Sequence, residues 1–327
     1  MKRLILIVII CALTLAGCSD YRESNSQYMV SAVGFDADGD NVVASIQAVI
    51  VGTDSINEEA EIKVFSADGS TPSQAISNIF SFLSKSLLFD HCGVVAIGNG
   101  ISSEMLGDIF DYSADQKNLN LGVYFVATDN AQKLLRQESV SALASGYDIM
   151  GMIERNSDET GILYQNRFYE IKALEAKKGK VFSLPFFKYS KDGIKMDGRN
   201  IYRNRQFVTN INETESYIYS VLSNSNNGGK ILLGEQKAKI NKMHTKFNFD
   251  YKNNKFEIDL KTIFSFEYKT KNFKKTLEND GKALIKKMTD NGYGDVFGFE
   301  DRVYIRDRSL YNSLKDNFEM NVKYVAK

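Results

Sequence analysis

Residues 71–98 read TPSQAISNIFSFLSKSLLFDHCGVVAIG, and the change of rhythm inside them decides the fold class. Thr71 can cap a helix, Pro72 suits the first helical position because its missing N–H would find no partner there, and Gln74 completes a capping box. Ile76, Ile79, Phe80, Leu83 and Leu87 then recur at steps of three and four, which predicts one buried stripe on a helix of about four turns. Cys92 to Ile97 follows as a short apolar strand.

The same alternation extends in both directions. Upstream, apolar runs Met29 to Phe35 and Val42 to Val51 flank Asp36-Ala-Asp-Gly-Asp40, a hairpin signal with Gly39 free to take positive φ. Downstream, Ser103 to Tyr112 reads as a helix, Leu121 to Ala127 as a strand, and Asp129 as the cap of a helix through Leu135. Strands alternating with helices imply an α+β or α/β layer over residues 28 to about 150. Val140 to Ala176 reads mainly as helix and ends at Lys177-Lys-Gly-Lys180, where a boundary is expected.

After Ser183-Leu-Pro185 come strands at Phe186 to Tyr189 and Ile201 to Val208, a helix near Glu213 to Leu222, and the turn-rich loop Ser223-Asn-Ser-Asn-Asn-Gly-Gly229. Phe256, Ile258, Leu260, Phe264, Phe266 and Tyr268 all occupy even positions, the period of a strand with one packed and one wet face. Phe273, Leu277, Leu284, Ile285 and Met288 return to helical spacing, and Phe318, Met320, Val322 and Tyr324 to alternation. The last unit is therefore expected to be a sheet with a packed helix.

The N-terminus carries an export signal. Lys2 and Arg3 precede an apolar run from Leu4 to Leu15, too short for the roughly 20 residues a membrane-crossing helix needs. Leu15-Ala16-Gly17-Cys18 places small residues before a thiol, the pattern of a lipobox, with cleavage before Cys18 and diacylation of that thiol. Each buried methylene contributes about 0.8 kcal/mol, so two acyl chains anchor stably where one would not. Polar residues Asp20 to Gln27 read as a tether, and no later segment is apolar enough to predict a span.

Composition narrows the function classes. The chain has 41 basic and 41 acidic side chains, and loss of Lys2 and Arg3 leaves it close to neutral, which excludes nucleic acid as an expected partner. Of three cysteines, Cys11 leaves with the signal and Cys18 is acylated, so Cys92 has no intramolecular partner.

Motifs that could carry chemistry are incomplete. Asp36-Ala-Asp-Gly-Asp40 resembles the start of a calcium loop, but Asn41 stands where the turn needs glycine and Gln47 where a bidentate glutamate should close the shell, so a plain hairpin turn is expected. His91 and Cys92 would face opposite ways on a strand, and His244 is the one other histidine, so neither a metal site nor a Cys/His nucleophile is expected. Gly98-Asn-Gly100 sits where a phosphate-cradling turn would, but Ser103 replaces the third glycine, leaving a tight strand-to-helix turn. Glu58-Glu59 reads as solvated surface and the aromatic stripe as core. No catalytic, metal or cofactor residue is assigned.

The order of segments resembles the C-subunit lipoproteins of spore germinant receptors, the GerAC-like family of endospore-forming Firmicutes. The residues that carry this are Cys18-Ser-Asp-Tyr-Arg-Glu23, Val33-Gly-Phe-Asp36, Phe80 to Leu88 leading into His91-Cys-Gly-Val-Val-Ala-Ile-Gly98, Asn118-Leu-Asn-Leu-Gly-Val-Tyr124, Leu184-Pro185 and Asp295-Val-Phe-Gly-Phe299. The family usually has tryptophan directly after the lipidated cysteine; Ser19 stands here, and the chain has no tryptophan. The resemblance implies three α+β domains in tandem, each a mixed or antiparallel sheet packed with helices. With signal peptide 1–17 and tether 18–27, they would cover 28–180, 181–235 and 236–327. It also implies no enzymatic activity or cofactor, and a place on the outer face of the spore inner membrane beside polytopic A and B subunits. Whether such a subunit touches germinant directly is left open. The alternative is a solute-binding lipoprotein of an importer, although no second copy of the first unit's pattern is present.

Overall fold

The computed structural model describes residues 27–50, 61–116, 119–138, 144–314 and 318–327. The expected signal peptide, the lipobox and all but the last residue of the expected tether lie outside the described residues.

The first sheet has nine strands. Strands β1 (Gln27–Asp38), β2 (Asn41–Ile50) and β3 (Glu61–Gly69) form an antiparallel meander, and Gly39 makes the first turn at φ 58°. On the other edge of β1 lie β5 (Val94–Ile97), β6 (Tyr124–Thr128) and β7 (Val181–Ser190), all parallel, and then β8 (Gly193–Arg203) and β9 (Gln206–Ile211), antiparallel. Both β5 and β6 are buried along their whole length, as strands covered on two faces must be. One face is covered by α1 (Pro72–Phe80), α2 (Ser103–Asp115) and α5 (Phe168–Glu175), the other by α3 (Ala131–Leu135), α4 (Ser145–Thr160) and α6 (Glu213–Leu222).

Helix α1 starts as the sequence predicts, with the Thr71 hydroxyl accepting from the Gln74 N–H, while the Gln74 carboxamide accepts from Ser70. It ends at Phe80 instead of running through Leu87. Residues Ser86–Leu88 form β4, which pairs in parallel with the start of β1. Unpaired β1 backbone there would otherwise lack partners, and that pairing overrides the helical spacing of Leu83 and Leu87. Within the described part of the expected helix over Val140 to Ala176 there are likewise two helices, α4 and α5, separated by residues 161–167, where Gly161 and Gln165 take positive φ.

The second sheet has four strands: β10 (Lys230–Leu233), β11 (Gln236–Lys252), β12 (Lys255–Lys269) and β13 (Met320–Ala326). β12 buries Phe256, Ile258 and Leu260 as its period-two pattern predicts. Helix α7 (Phe273–Asp290) lies against this sheet so closely that a Cβ on Gly281 would come 2.5 Å from the Tyr324 ring. Helices α8 (Phe299–Arg306) and α9 (Arg308–Leu314) complete it.

The architecture is thus mixed α and β, consistent with the α+β class. Lys177 to Lys180 does form a turn, with Gly179 and Lys180 at positive φ. The first sheet nevertheless continues across it, because β7 satisfies the open edge of β6 through Ala127↔Phe186 and Thr128↔Phe187. Segment 181–235, expected as a separate middle unit, therefore divides its strands between the two sheets.

Gln47 on β2 is buried and uses its whole carboxamide. Its Nε2 donates to the Leu135 carbonyl (2.7 Å) and to Ser145 Oγ (2.8 Å), while Oε1 accepts from Ser31 Oγ (2.8 Å) and from the Gly146 N–H (3.1 Å). One side chain so fixes the end of α3, the start of α4 and the β1–β2 ladder. Gln47→Leu keeps the shape and strands those groups, each costing about 1–3 kcal/mol when buried and unpaired. The variant should lose about 3 kcal/mol in urea unfolding; a loss below about 1 kcal/mol would show that the carboxamide is not a structural tie.

Candidate functional site

The site is built around Arg199, a strand residue only 1 % exposed. Gly198 before it has φ 88°, and a Cβ there would lie 1.9 Å from the Ile211 carbonyl oxygen, so only glycine lets β9 come this close. The Arg199 Nε donates to Ser216 Oγ on α6 (2.6 Å) and Nη1 to Ser183 Oγ on β7 (3.1 Å). The rings of Tyr164 and Tyr219 flank the guanidinium, with centroids 4.9 and 5.1 Å away. The third nitrogen, Nη2, is buried and has no hydrogen-bond partner among the described residues.

Arg199 lines a cavity of about 240 Å³. Arg302 on α8 lines it too; its Nη2 donates to the Ser223 carbonyl, and its guanidinium lies 5.5 Å from the Phe247 ring centroid and 5.6 Å from that of Phe299. Lys177 and Lys178 stand exposed at the mouth, where Asp301 is the one carboxylate, already accepting from the Lys178 backbone N–H at 3.1 Å. Among the described residues, neither Arg199 nor Arg302 has a carboxylate within 4 Å. Arg203 and Arg205, by contrast, pair with Glu300 (3.3 Å) and Glu175 (2.5 Å).

Burial pulls both guanidinium pKa values below the ordinary arginine value, and pushes the phenols of Tyr164 and Tyr219 up to about 12. At neutral pH the rings are uncharged and the arginines keep their charge. Desolvating an ion costs several kcal/mol even after relaxation, and a desolvated cation–π contact returns about 2. The cavity walls contain no histidine or cysteine; they offer positive charge, N–H donors and serine hydroxyls. Little in the sequence signals this site, since Arg199 differs from a surface arginine only in standing two residues before the apolar Ile201.

The residues singled out in the sequence are placed elsewhere. Cys18 with Leu15, Ala16 and Gly17, and the pair Glu58-Glu59, lie outside the described residues. Asp36 belongs to β1, not to a loop, and its two carboxylate oxygens accept from the Ala131 N–H (2.7 Å) and the Gln132 N–H (2.9 Å) at the start of α3. Asn130, not Asp129, caps that helix from its own chain, accepting from the Lys133 N–H at 2.8 Å. Gly98 passes against the same carboxylate, a Cβ there falling 2.0 Å from Asp36 Oδ1. The glycine turn therefore makes room for an internal carboxylate. Cys92 is buried, with its Sγ 3.5 Å from the Val94 carbonyl, while His91 and His244 are not. No group of three metal-ligating side chains forms among the described residues.

A family model described as "Spore germination protein N-terminal domain" matches residues 20–189. Among solved structures, a crystal structure of the GerBC protein is similar with a TM-score of 0.51 at 16% identity, covering 90% of this chain and 96% of that one. At that identity the likeness is one of fold. No curated protein matches the chain.

Gly98→Ala should drive the Asp36 carboxylate off α3 and lower stability by about 2 kcal/mol. Combined with Asp36→Ala, which removes the clash, the losses should fall short of additive by more than about 0.5 kcal/mol in a double-mutant cycle, the size of coupling expected for groups in contact. Full additivity would contradict the contact. The Cys92 thiol is pushed up to about 12 by burial. At about pH 8 its peptide should stay unlabelled by maleimide in the native chain and be labelled in denaturant; labelling at equal rates would refute that burial.

Proposed function

The chain belongs to the GerAC-like family of spore germination proteins, and from that membership we propose that it is the C subunit of a nutrient germinant receptor, anchored on the outer face of the spore inner membrane by acyl chains on Cys18. The observation that carries this reading is the family match, which begins at residue 20, two residues after Cys18. No helix among the described residues is long and apolar enough to cross a membrane, so in this reading the lipid is the anchor. The few residues between Cys18 and β1 at Gln27 reach at most about 30 Å when fully extended, which keeps the folded body at the membrane surface.

Tethering of this kind raises the local concentration of the subunit at polytopic A and B partners, so that weak interfaces suffice. The subunit works by contact and catalyses nothing. An importer's binding protein is less well supported, since the nine-stranded and four-stranded sheets share neither strand number nor order and make no pair of similar lobes.

Cys18→Ala tests the anchor and the role together. The variant should leave the inner-membrane fraction of spores and slow germination at least severalfold with the nutrient of its own receptor, leaving other nutrients unaffected. Retention in the membrane together with normal germination would overturn the proposal.

A further inference from the structure

We propose that the cavity beside Arg199 binds a small organic carboxylate, with Arg199 as a positive floor, Arg302 and Lys178 as donors at the mouth, and the apolar walls covering the rest of the molecule. The inference does not depend on the receptor reading, because it stands on the cavity alone.

Charge imbalance is the first argument. Among the described residues, four cationic side chains and one carboxylate line the cavity, and that carboxylate accepts from the Lys178 backbone N–H. Serine hydroxyls and tyrosine rings satisfy part of the Arg199 guanidinium, but none of them carries the opposite charge. A buried cation in low-dielectric surroundings projects its field into the nearest open space, which here is the cavity. Nη2 is enclosed and leaves its N–H bonds without a partner among the described residues, and Arg199 is one of the residues that line the cavity.

Size and wall chemistry narrow the class of anion. About 240 Å³ falls below the roughly 300 Å³ at which pockets for drug-sized ligands begin, so the occupant is small. Leu174, Val181, Phe182 and Phe297 supply apolar wall that inorganic phosphate would leave uncovered.

Calorimetry on the detergent-solubilised full chain tests this with acetate, butyrate, hexanoate and benzoate, each beside its neutral amide, and with inorganic phosphate. At least one carboxylate should bind saturably, tighter than acetate and at least tenfold tighter than its amide and than phosphate. Arg302→Gln and Lys178→Gln should each weaken it at least fivefold. Arg199→Met should abolish it; because that variant also loses two buried hydrogen bonds, the Arg302 and Lys178 variants are the deciding measurements. Absence of saturable carboxylate binding, parity with the amide or with phosphate, or unchanged affinity in both mouth variants would overturn the proposal.

Discussion

Helix α6 is buried from Ser216 through Leu222, and a helix apolar or small on every side has to be enclosed by the rest of the chain. That requirement determines how the two sheets meet. From the first sheet, Arg199 donates to Ser216 Oγ at 2.6 Å. From the second, Thr245 Oγ1 donates to the Val221 carbonyl at 2.7 Å and meets Thr262 Oγ1 at 2.8 Å. A capping box between Asn212 and Glu215 starts the helix, and Lys287 of α7 reaches Glu215 at 2.8 Å. The segment after α6 is held too: Asn224 Oδ1 accepts from the Thr245 N–H, and the Ser225 carbonyl from the Leu163 N–H. The asparagine-rich run therefore acts as a packed joint, in which short polar side chains replace ladder partners for nearby backbone.

Patterns that depend on one element at a time were readable. The β1–β2 turn, α6, the alternation of β12 and the spacing of α7 each follow from a local period and its punctuation, and burial then agrees with them except at the end of β12, where Phe264 and Phe266 are half-buried and Tyr268 is exposed. Leu83 and Leu87 misled because helical spacing does not record whether a strand elsewhere lacks a partner, and β1 did. The turn at Lys177 to Lys180 misled in the same way: its residues specify a change of direction, not the end of a sheet.

Side chains that work at a distance were the least legible. Asp36 reads in the sequence only as part of a plain hairpin turn, and nothing local signals that its carboxylate serves a helix that begins far along the chain. Burial is the largest influence on its carboxyl and raises its pKa, with the two α3 N–H groups pulling the other way. Gly98 is expected as part of a tight strand-to-helix turn; what the sequence does not show is that this turn leaves room for the Asp36 carboxylate. Here Val33-Gly-Phe-Asp36 and His91 to Gly98, two of the stretches that carry the family resemblance, converge on that one carboxylate. A third, Asp295 to Phe299, is explained similarly. Asp295 accepts from the Phe297 N–H at 3.0 Å and the Glu300 N–H at 2.7 Å, while Gly298 takes φ 73° to admit the turn.

The cavity belongs to this junction and not to either sheet alone. Ser183 comes from β7, Arg199 from β8, Tyr219 from α6 and Arg302 from α8, so its walls hold their shape only while both sheets are seated on α6. An occupant that binds the assembled walls and not their separated parts must, by linkage, stabilise the assembly by RT ln(1 + [L]/Kd). The fold itself gains little from an unpaired charge at Arg199, because desolvating it offsets much of what its hydrogen bonds contribute. The Arg199 guanidinium ties β8 to α6 and β7 through Ser216 and Ser183, and a bound anion would add the opposite charge that these neutral partners do not supply.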